Sequence, residues 1–206
     1  RRCELINGVG VDIDQLDQVR SSSHRLRTDA IIIGVVGTYS WEKGYEDVFE
    51  LARRLTHEQV EIRCFGAGDP RDFVRRAAVE KLTNLHFLGF SENILAEMVS
   101  FDLFFHPSRR EGLPVAVMEA MGLGLPVLAT SVRGNVDLIE DGITGLLYEV
   151  GCIDVMSNAA QKLIFDRRFR SNIGASAREV VLERYCQEKL AKQTVERIIA
   201  ATTEEI

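Results

Sequence analysis

The chain's 206 residues are enough to bury a full core, and a mix of 46% hydrophobic and 27% charged residues is that of a soluble globular domain, not of a membrane-embedded or disordered chain. A formal net charge of −6 argues against a general nucleic-acid binder. The four cysteines (Cys3, Cys64, Cys152, Cys186) are scattered without a C-x-x-C pair, which points to reduced thiols in a cytoplasmic protein and away from a zinc site.

The chain opens on Arg1-Arg2-Cys3, with neither an initiator methionine nor a signal peptide, as expected of a piece of something longer. ELINGVGVDIDQL is a short apolar stretch that ends in an acidic, turn-like segment, and residues 21–29 (SSSHRLRTD) read as a linker. From there strands and helices alternate. Ile31–Val36 is a β-branched run, too short to span a bilayer, and predicts a buried strand. Tyr45–Leu55 has helical spacing, with Val48, Leu51, Ala52 and Leu55 on one face. Val60–Phe65 is a second strand closed by the turn GAGDP, followed by a helix over Arg71–Lys81. Leu85–Leu88, Leu103–His106, Pro126–Ala129 and Gly145–Tyr148 continue as strands, with helices over Glu92–Val99 and Pro114–Met121 and a short one near 133–137. The tail from Ile153 to Ala201 is helical, with breaks expected near Gly174 and Tyr185. This alternation predicts parallel βαβ units: an α/β, doubly wound, Rossmann-like sheet of about six strands with helices on both faces and a helical C-terminal tail. Such sheets bind ligands beyond the carboxyl ends of their strands, which directs attention to the loops 38–44, 66–70, 89–91, 107–113 and 130–135.

Loop 107–113, PSRREGL, leaves a strand and enters a helix that Pro114 is suited to begin. The first amides of a helix lack internal partners and carry partial positive charge, and Gly112 lets another group come close. Together they suit a phosphate. Glu111 and Glu119 stand on this segment. On one continuous helix they would be roughly 12 Å apart along the axis and point in different directions. With Glu111 in the loop and Glu119 in the second helical turn, they flank a ligand whose phosphate rests on the helix N-terminus. Carboxylates accept hydrogen bonds, and vicinal sugar hydroxyls donate them. The plainer reading is that Glu111 complements the helix dipole and Glu119 is solvated. Against it, Glu119 lies in VAVMEAM, among residues that look buried, where an unpaired carboxylate is costly.

Elsewhere the signals are weaker. Lys43, beside Gly44 in TYSWEKG, is a candidate phosphate contact, although the loop lacks Walker A spacing. GAGDP is a turn without the third glycine of a dinucleotide loop, because Arg71 stands there. Gly134 and Asn135, in RGNVD, open another short helix and form a second candidate anion nest. His106 stands at a strand's carboxyl end but reads as structural. There is no metal-ligand cluster and no G-x-S-x-G nucleophile elbow.

PSRREGLPVAVMEAMGLGLPVLAT followed by GNVDLIEDGITGLLYEV resembles the C-terminal, donor-binding half of retaining GT-B glycosyltransferases, glycosyltransferase family 4 or glycosyl transferases group 1. GTYSWEKGYEDVFELA is similar to that family's first glycine-and-lysine loop, INGVGVDIDQL to its inter-domain segment, and FGAGDP and LHFLGF to its middle strands; the resemblance covers roughly residues 5–200. It implies an inter-domain segment and linker over 1–29 and a donor-binding domain over 30–206. It also implies a hexosyltransferase-like enzyme of polysaccharide biosynthesis that uses a nucleoside-diphosphate sugar such as a UDP-sugar, with no tightly bound cofactor and no metal. By the same resemblance Glu119 binds the ribose hydroxyls and Glu111 those of the donor sugar. Backbone around Gly112 and Leu113 faces the sugar and diphosphate, Lys43 neutralises the leaving diphosphate, and Phe90 lies where the base is held. Thr38 occupies the position of an arginine common in the family, so one cationic contact is absent unless Arg109, Arg110 or Arg133 replaces it. The implied partners are an acceptor glycan or lipid-linked sugar and an N-terminal acceptor domain, without which this half is inactive. The implied location is the cytoplasm, with peripheral attachment to the inner membrane face through that other half. A non-catalytic nucleotide-sugar module is the alternative. A related sugar-nucleotide epimerase is a third, against which the acidic and histidine pattern speaks.

Overall fold

In the computed structural model, which describes residues 10–22 and 29–203, six strands form one sheet: β1 (Ile31–Val36), β2 (Val60–Phe65), β3 (Leu85–Gly89), β4 (Leu103–His106), β5 (Val127–Thr130) and β6 (Leu146–Tyr148). Every pairing is parallel, and the order across the sheet is β3-β2-β1-β4-β5-β6. Successive residues of β1 point to opposite faces. Ile33 and Val35 join a core layer built with α2 (Tyr45–Arg54), α3 (Arg71–Val79) and α7 (Ile153–Phe165). Ile32 faces the other layer, built with α1 (Ile13–Ser22), α4 (Ile94–Met98), α5 (Val115–Gly122), α6 (Asn135–Leu138) and α8 (Arg167–Arg184). The last helix is α9 (Gln187–Thr203). The doubly wound α/β fold read from the sequence is the one observed.

Two local expectations are corrected. The acidic, turn-like segment is a helix, α1, whose first turn is capped by Asp12 Oδ1, which accepts the Gln15 amide at 3.0 Å. Its apolar signal is sparse, but Leu16 is 1% exposed and packs over Gly122. Just before it, Val11 pairs with Cys186, its amide donating to Tyr185 O at 2.9 Å and its carbonyl accepting from Gln187 N at 3.0 Å. This segment is therefore folded onto the domain. Ser21 and Ser22 end α1 and Asp29 precedes β1, while residues 1–9 and the middle of the expected linker, 23–28, lie outside the described residues.

The second correction concerns Gly174, which breaks nothing: α8 runs through it, and the break falls at Asp166, whose carboxylate caps α8 by accepting Phe169 N at 2.9 Å. Gly174 is there because the helix crosses the Gly124 backbone closely, and an added Cβ would stand 2.2 Å from Gly124 O. Gly174→Ala is therefore expected to destabilise the chain by about 1–3 kcal/mol, the usual cost of overpacking. Urea unfolding should show a lower midpoint with an unchanged slope. The break at Tyr185 is observed, between α8 and α9.

Candidate functional site

Strand β1 has β2 on one side and β4 on the other. The chain leaves β1 toward β2 and later returns to β4, so the loops after β1 and β4 diverge at the same end of the sheet. That is the topological switch point, where a crevice opens in sheets of this type.

The loop after β1 is held in place by its neighbours. Gly37 N donates to Phe65 O at 3.0 Å and Tyr39 N to Ala67 O at 2.9 Å. The Tyr39 hydroxyl donates to Cys64 O and accepts from Gly89 N, each at 3.0 Å. A 3-10 turn, Trp41–Lys43, follows and closes on Gly44, which has φ 70°. A Cβ at Gly44 would lie 1.9 Å from Pro107 O, so only glycine lets this loop touch the loop after β4. Trp41 is 77% exposed on that turn.

The loop after β4 leans on the same turn. Arg109 N donates to Glu42 O at 2.7 Å, and the Ser108 hydroxyl reaches that carbonyl at 3.1 Å. Lys43 Nζ is thereby 2.6 Å from Glu111 Oε1. His106 Nε2 reaches the same oxygen at 3.0 Å. A carboxylate only accepts, so Nε2 carries the hydrogen. The His106 ring is buried and stacks on Phe104, with centroids 6.0 Å apart. Burial would push the Glu111 pKa up, but hydrogen bonds from His106, Lys43 and Ser108 outweigh it and bring it down to about 2. Glu111 is thus a fixed, fully ionised acceptor.

Pro114 is the N-cap of α5, which begins at Val115, one residue later than read from the sequence. Glu119 sits in the second turn, partly buried, and burial raises its pKa. Among the described residues no donor lies within hydrogen-bond distance of its carboxylate. It lines a cavity of about 160 Å³ with Val11, Asp12, Gln15, Leu95, Val115 and Gln187. Lys43 and Glu111 do not line that cavity, so the two carboxylates occupy separate surroundings connected by the start of α5.

The other expected site residues divide into two groups. Thr38, Gly112 and Phe90 are exposed at the carboxyl ends of the strands, and nothing lies within 4 Å of the place a Gly112 Cβ would take. Leu113 packs partly into the core. Gly134 and Asn135 act as supports, not as an anion nest. Gly134 is buried with its amide donated to Asp137 Oδ2 at 3.3 Å, and a Cβ there would stand 2.1 Å from Gly112 O. Asn135 is 0% exposed and donates to Thr130 O at 2.9 Å, while the Thr130 hydroxyl donates to Ser108 O. The substitutes considered for an arginine at 38 divide as well. Arg109 is committed to Asp47 at 2.6 Å, whereas Arg110 and Arg133 are exposed and paired with no carboxylate among the described residues.

Sequence reasoning missed His106 as a partner of Glu111, and it missed the Arg109–Asp47 pair. The first had a signal: a histidine at a strand's carboxyl end, with a candidate acid on the loop it begins. The second had none, because Asp47 looks like an ordinary surface residue of an amphipathic helix. Among the described residues no group of three His, Cys, Asp or Glu side chains could hold a metal ion, and no helix is long and apolar enough to cross a membrane.

A family model described as "Glycosyl transferases group 1" matches residues 18–180. N-acetyl-alpha-D-glucosaminyl L-malate synthase of Bacillus anthracis is 31% identical over 157 residues, 73% of this chain and 40% of that protein. Among solved structures, sucrose-phosphate synthase from Thermosynechococcus elongatus aligns with a TM-score of 0.81 at 23% identity, over 95% of this chain and 52% of that one. HepE of Anabaena, solved in complex with UDP and glucose, aligns with a TM-score of 0.76 at 24% identity, over 92% of this chain and 55% of that one. The chain spans about half the length of the curated relatives it matches.

Proposed function

Since this chain belongs to the glycosyl transferases group 1 family, we propose that it is the nucleotide-sugar-binding half of a retaining glycosyltransferase, moving a sugar from a nucleoside-diphosphate donor to an acceptor hydroxyl. The observation that carries the reading is the Lys43–Glu111 pair at the switch point, beside the uncapped start of α5. Lys43 and the first amides of α5 meet the diphosphate and stabilise the charge that grows on it as the sugar leaves. Glu111, ionised and fixed by His106, accepts hydrogen bonds from the sugar's hydroxyls. Glu119, half-buried and without a donor among the described residues, takes the ribose diol, which also removes the cost of its isolation. Gly112 and Leu113 line the approach, and Thr38 and Phe90 stand at its rim. The acceptor's hydroxyl is the nucleophile, so no covalent intermediate with this chain is required.

In this reading residues 1–29 join the domain to an N-terminal acceptor half, 30–206 bind the donor, and the acceptor is a glycan or lipid-linked sugar. A cytoplasmic setting, at the inner membrane face where the acceptor is lipid-linked, goes with it, as does polysaccharide synthesis. One observation favours a second reading, a non-catalytic nucleotide-sugar module: Thr38 stands where the resemblance implies an arginine, so one cationic contact to the diphosphate is missing beside Lys43.

The test is calorimetry on this chain with UDP and GDP. Glu119→Ala is expected to weaken UDP itself by about 10–100-fold, the range of lost hydrogen bonds to a charged group, with UDP-glucose weakened equally. Failure of every nucleoside diphosphate to bind at millimolar concentration sinks the proposal.

A further inference from the structure

Beneath the pair that faces the crevice lies a charged cluster that no step above uses. Asp47, in the first turn of α2, is 1% exposed. One of its oxygens accepts from the Arg109 guanidinium at 2.6 Å and the other from the Tyr148 hydroxyl at 2.8 Å. Tyr148 is 2% exposed, and the Arg109 side chain is 19% exposed. Three elements meet here: the start of α2, the loop after β4, and β6. The start of α2 carries Lys43 just ahead of it, through the tightly packed Gly44. The loop after β4 carries Glu111 just beyond Arg109. The clamp therefore ties together the two backbone segments whose side chains form the site.

We propose that Arg109 is a positioning residue: gripping Asp47, it sets the spacing between the backbones that present Lys43 and Glu111, and with it the geometry in which a diphosphate and a sugar hydroxyl are held together. This rests on the nucleotide-sugar reading of the same site. The guanidinium is turned to Asp47, so Arg109 acts through its neighbours and not on the ligand. One guanidinium nitrogen bonds one Asp47 oxygen, and the planar, permanently charged group gives that bond a preferred direction which a lysine's rotatable ammonium lacks. An apolar contact in the same place would hold the two segments together but would let them slide. The backbone bond from Arg109 N to Glu42 O adds a second tie one residue before Lys43.

The test uses this chain with Arg109→Lys, and with Asp47→Asn as the second variant should the first fail to fold. Two readouts separate positioning from mere fold support. The first is titration of the Glu111 carboxyl by carbon NMR, without nucleotide; in both variants its pKa is expected to rise, because its donors are no longer held in place. The second is the ratio of UDP-glucose to UDP affinity by calorimetry. It is expected to fall about tenfold, the size of coupling found inside one salt-bridge network, while UDP alone changes little. Glu119→Ala serves as the contrast, moving both ligands together and leaving the Glu111 titration in place. Folded variants with an unchanged Glu111 titration and an unchanged affinity ratio overturn the proposal. If the parent chain binds no UDP, the nucleotide reading fails, and the titration still decides on the clamp.

Discussion

Glu111→Gln is expected to be about 1–3 kcal/mol less stable than the parent chain at pH 7, since each tenfold change in proton affinity on folding is worth about 1.4 kcal/mol and solvent around Lys43 screens part of it, and the gap should close on acidification. Glu111 has its pKa lowered from an ordinary value of 4.5 to about 2, because donors from His106, Lys43 and Ser108 outweigh the burial that would raise it. Its side chain is only 10% exposed, so solvent screens these donors weakly. A depressed carboxylate stabilises the folded state fully above its unfolded pKa and loses that contribution as pH falls toward its folded one. The window is therefore pH 4.5 down to about 2. Urea unfolding of both proteins at pH 7, 4 and 2.5 would follow the gap. A difference that stays constant with pH would mean that Glu111 is not held ionised by its partners.

Lys43→Met should weaken UDP binding by about 10–100-fold, the range expected for a lost charge-assisted contact. Lys43 pairs with Glu111 at 2.6 Å, and its removal leaves a carboxylate facing an incoming diphosphate with only neutral or weaker donors, His106 and Ser108, to temper it. Repulsion therefore adds to the lost attraction. Calorimetry at two salt concentrations would separate these terms: the parent's affinity should fall with salt and the variant's should fall less. Equal affinity in parent and variant would remove Lys43 from the site. Because the methionine also takes a donor from Glu111, the same variant should raise the Glu111 pKa.

The sheet was legible because buried parallel strands leave a loud mark. The β-branched run Ile31–Val36 and the strands Val60–Phe65 and Leu103–His106 have the bounds read from the sequence, and their alternation with helices limits the topology. The same alternation directed attention to the loops at the carboxyl ends of the strands, though not to the strand order that decides which two of them diverge. What could not be read was governed by contacts between distant segments. Gly174 looks like a helix breaker locally and is instead the seat of a close crossing with Gly124, fifty residues away in the chain. The α1 helix carries too few apolar residues to announce itself, and it is held by Leu16 against α5 and by the Val11–Cys186 pairing. Gly134 and Asn135 have the composition of an anion nest, but Asp137 and Thr130 already occupy their donors. Lys43 and Glu111 were named for separate ligand groups, and no spacing rule in one dimension predicts that they meet.

Trp41 has a practical consequence. It is the chain's single tryptophan, and it stands at 77% exposure on the turn that ends in Lys43. Light emitted by indole in this protein therefore comes from one address, at the lip of the crevice. Any body that settles there, small or large, changes the colour and yield of that emission, so the molecule reports occupancy without a dye or a label.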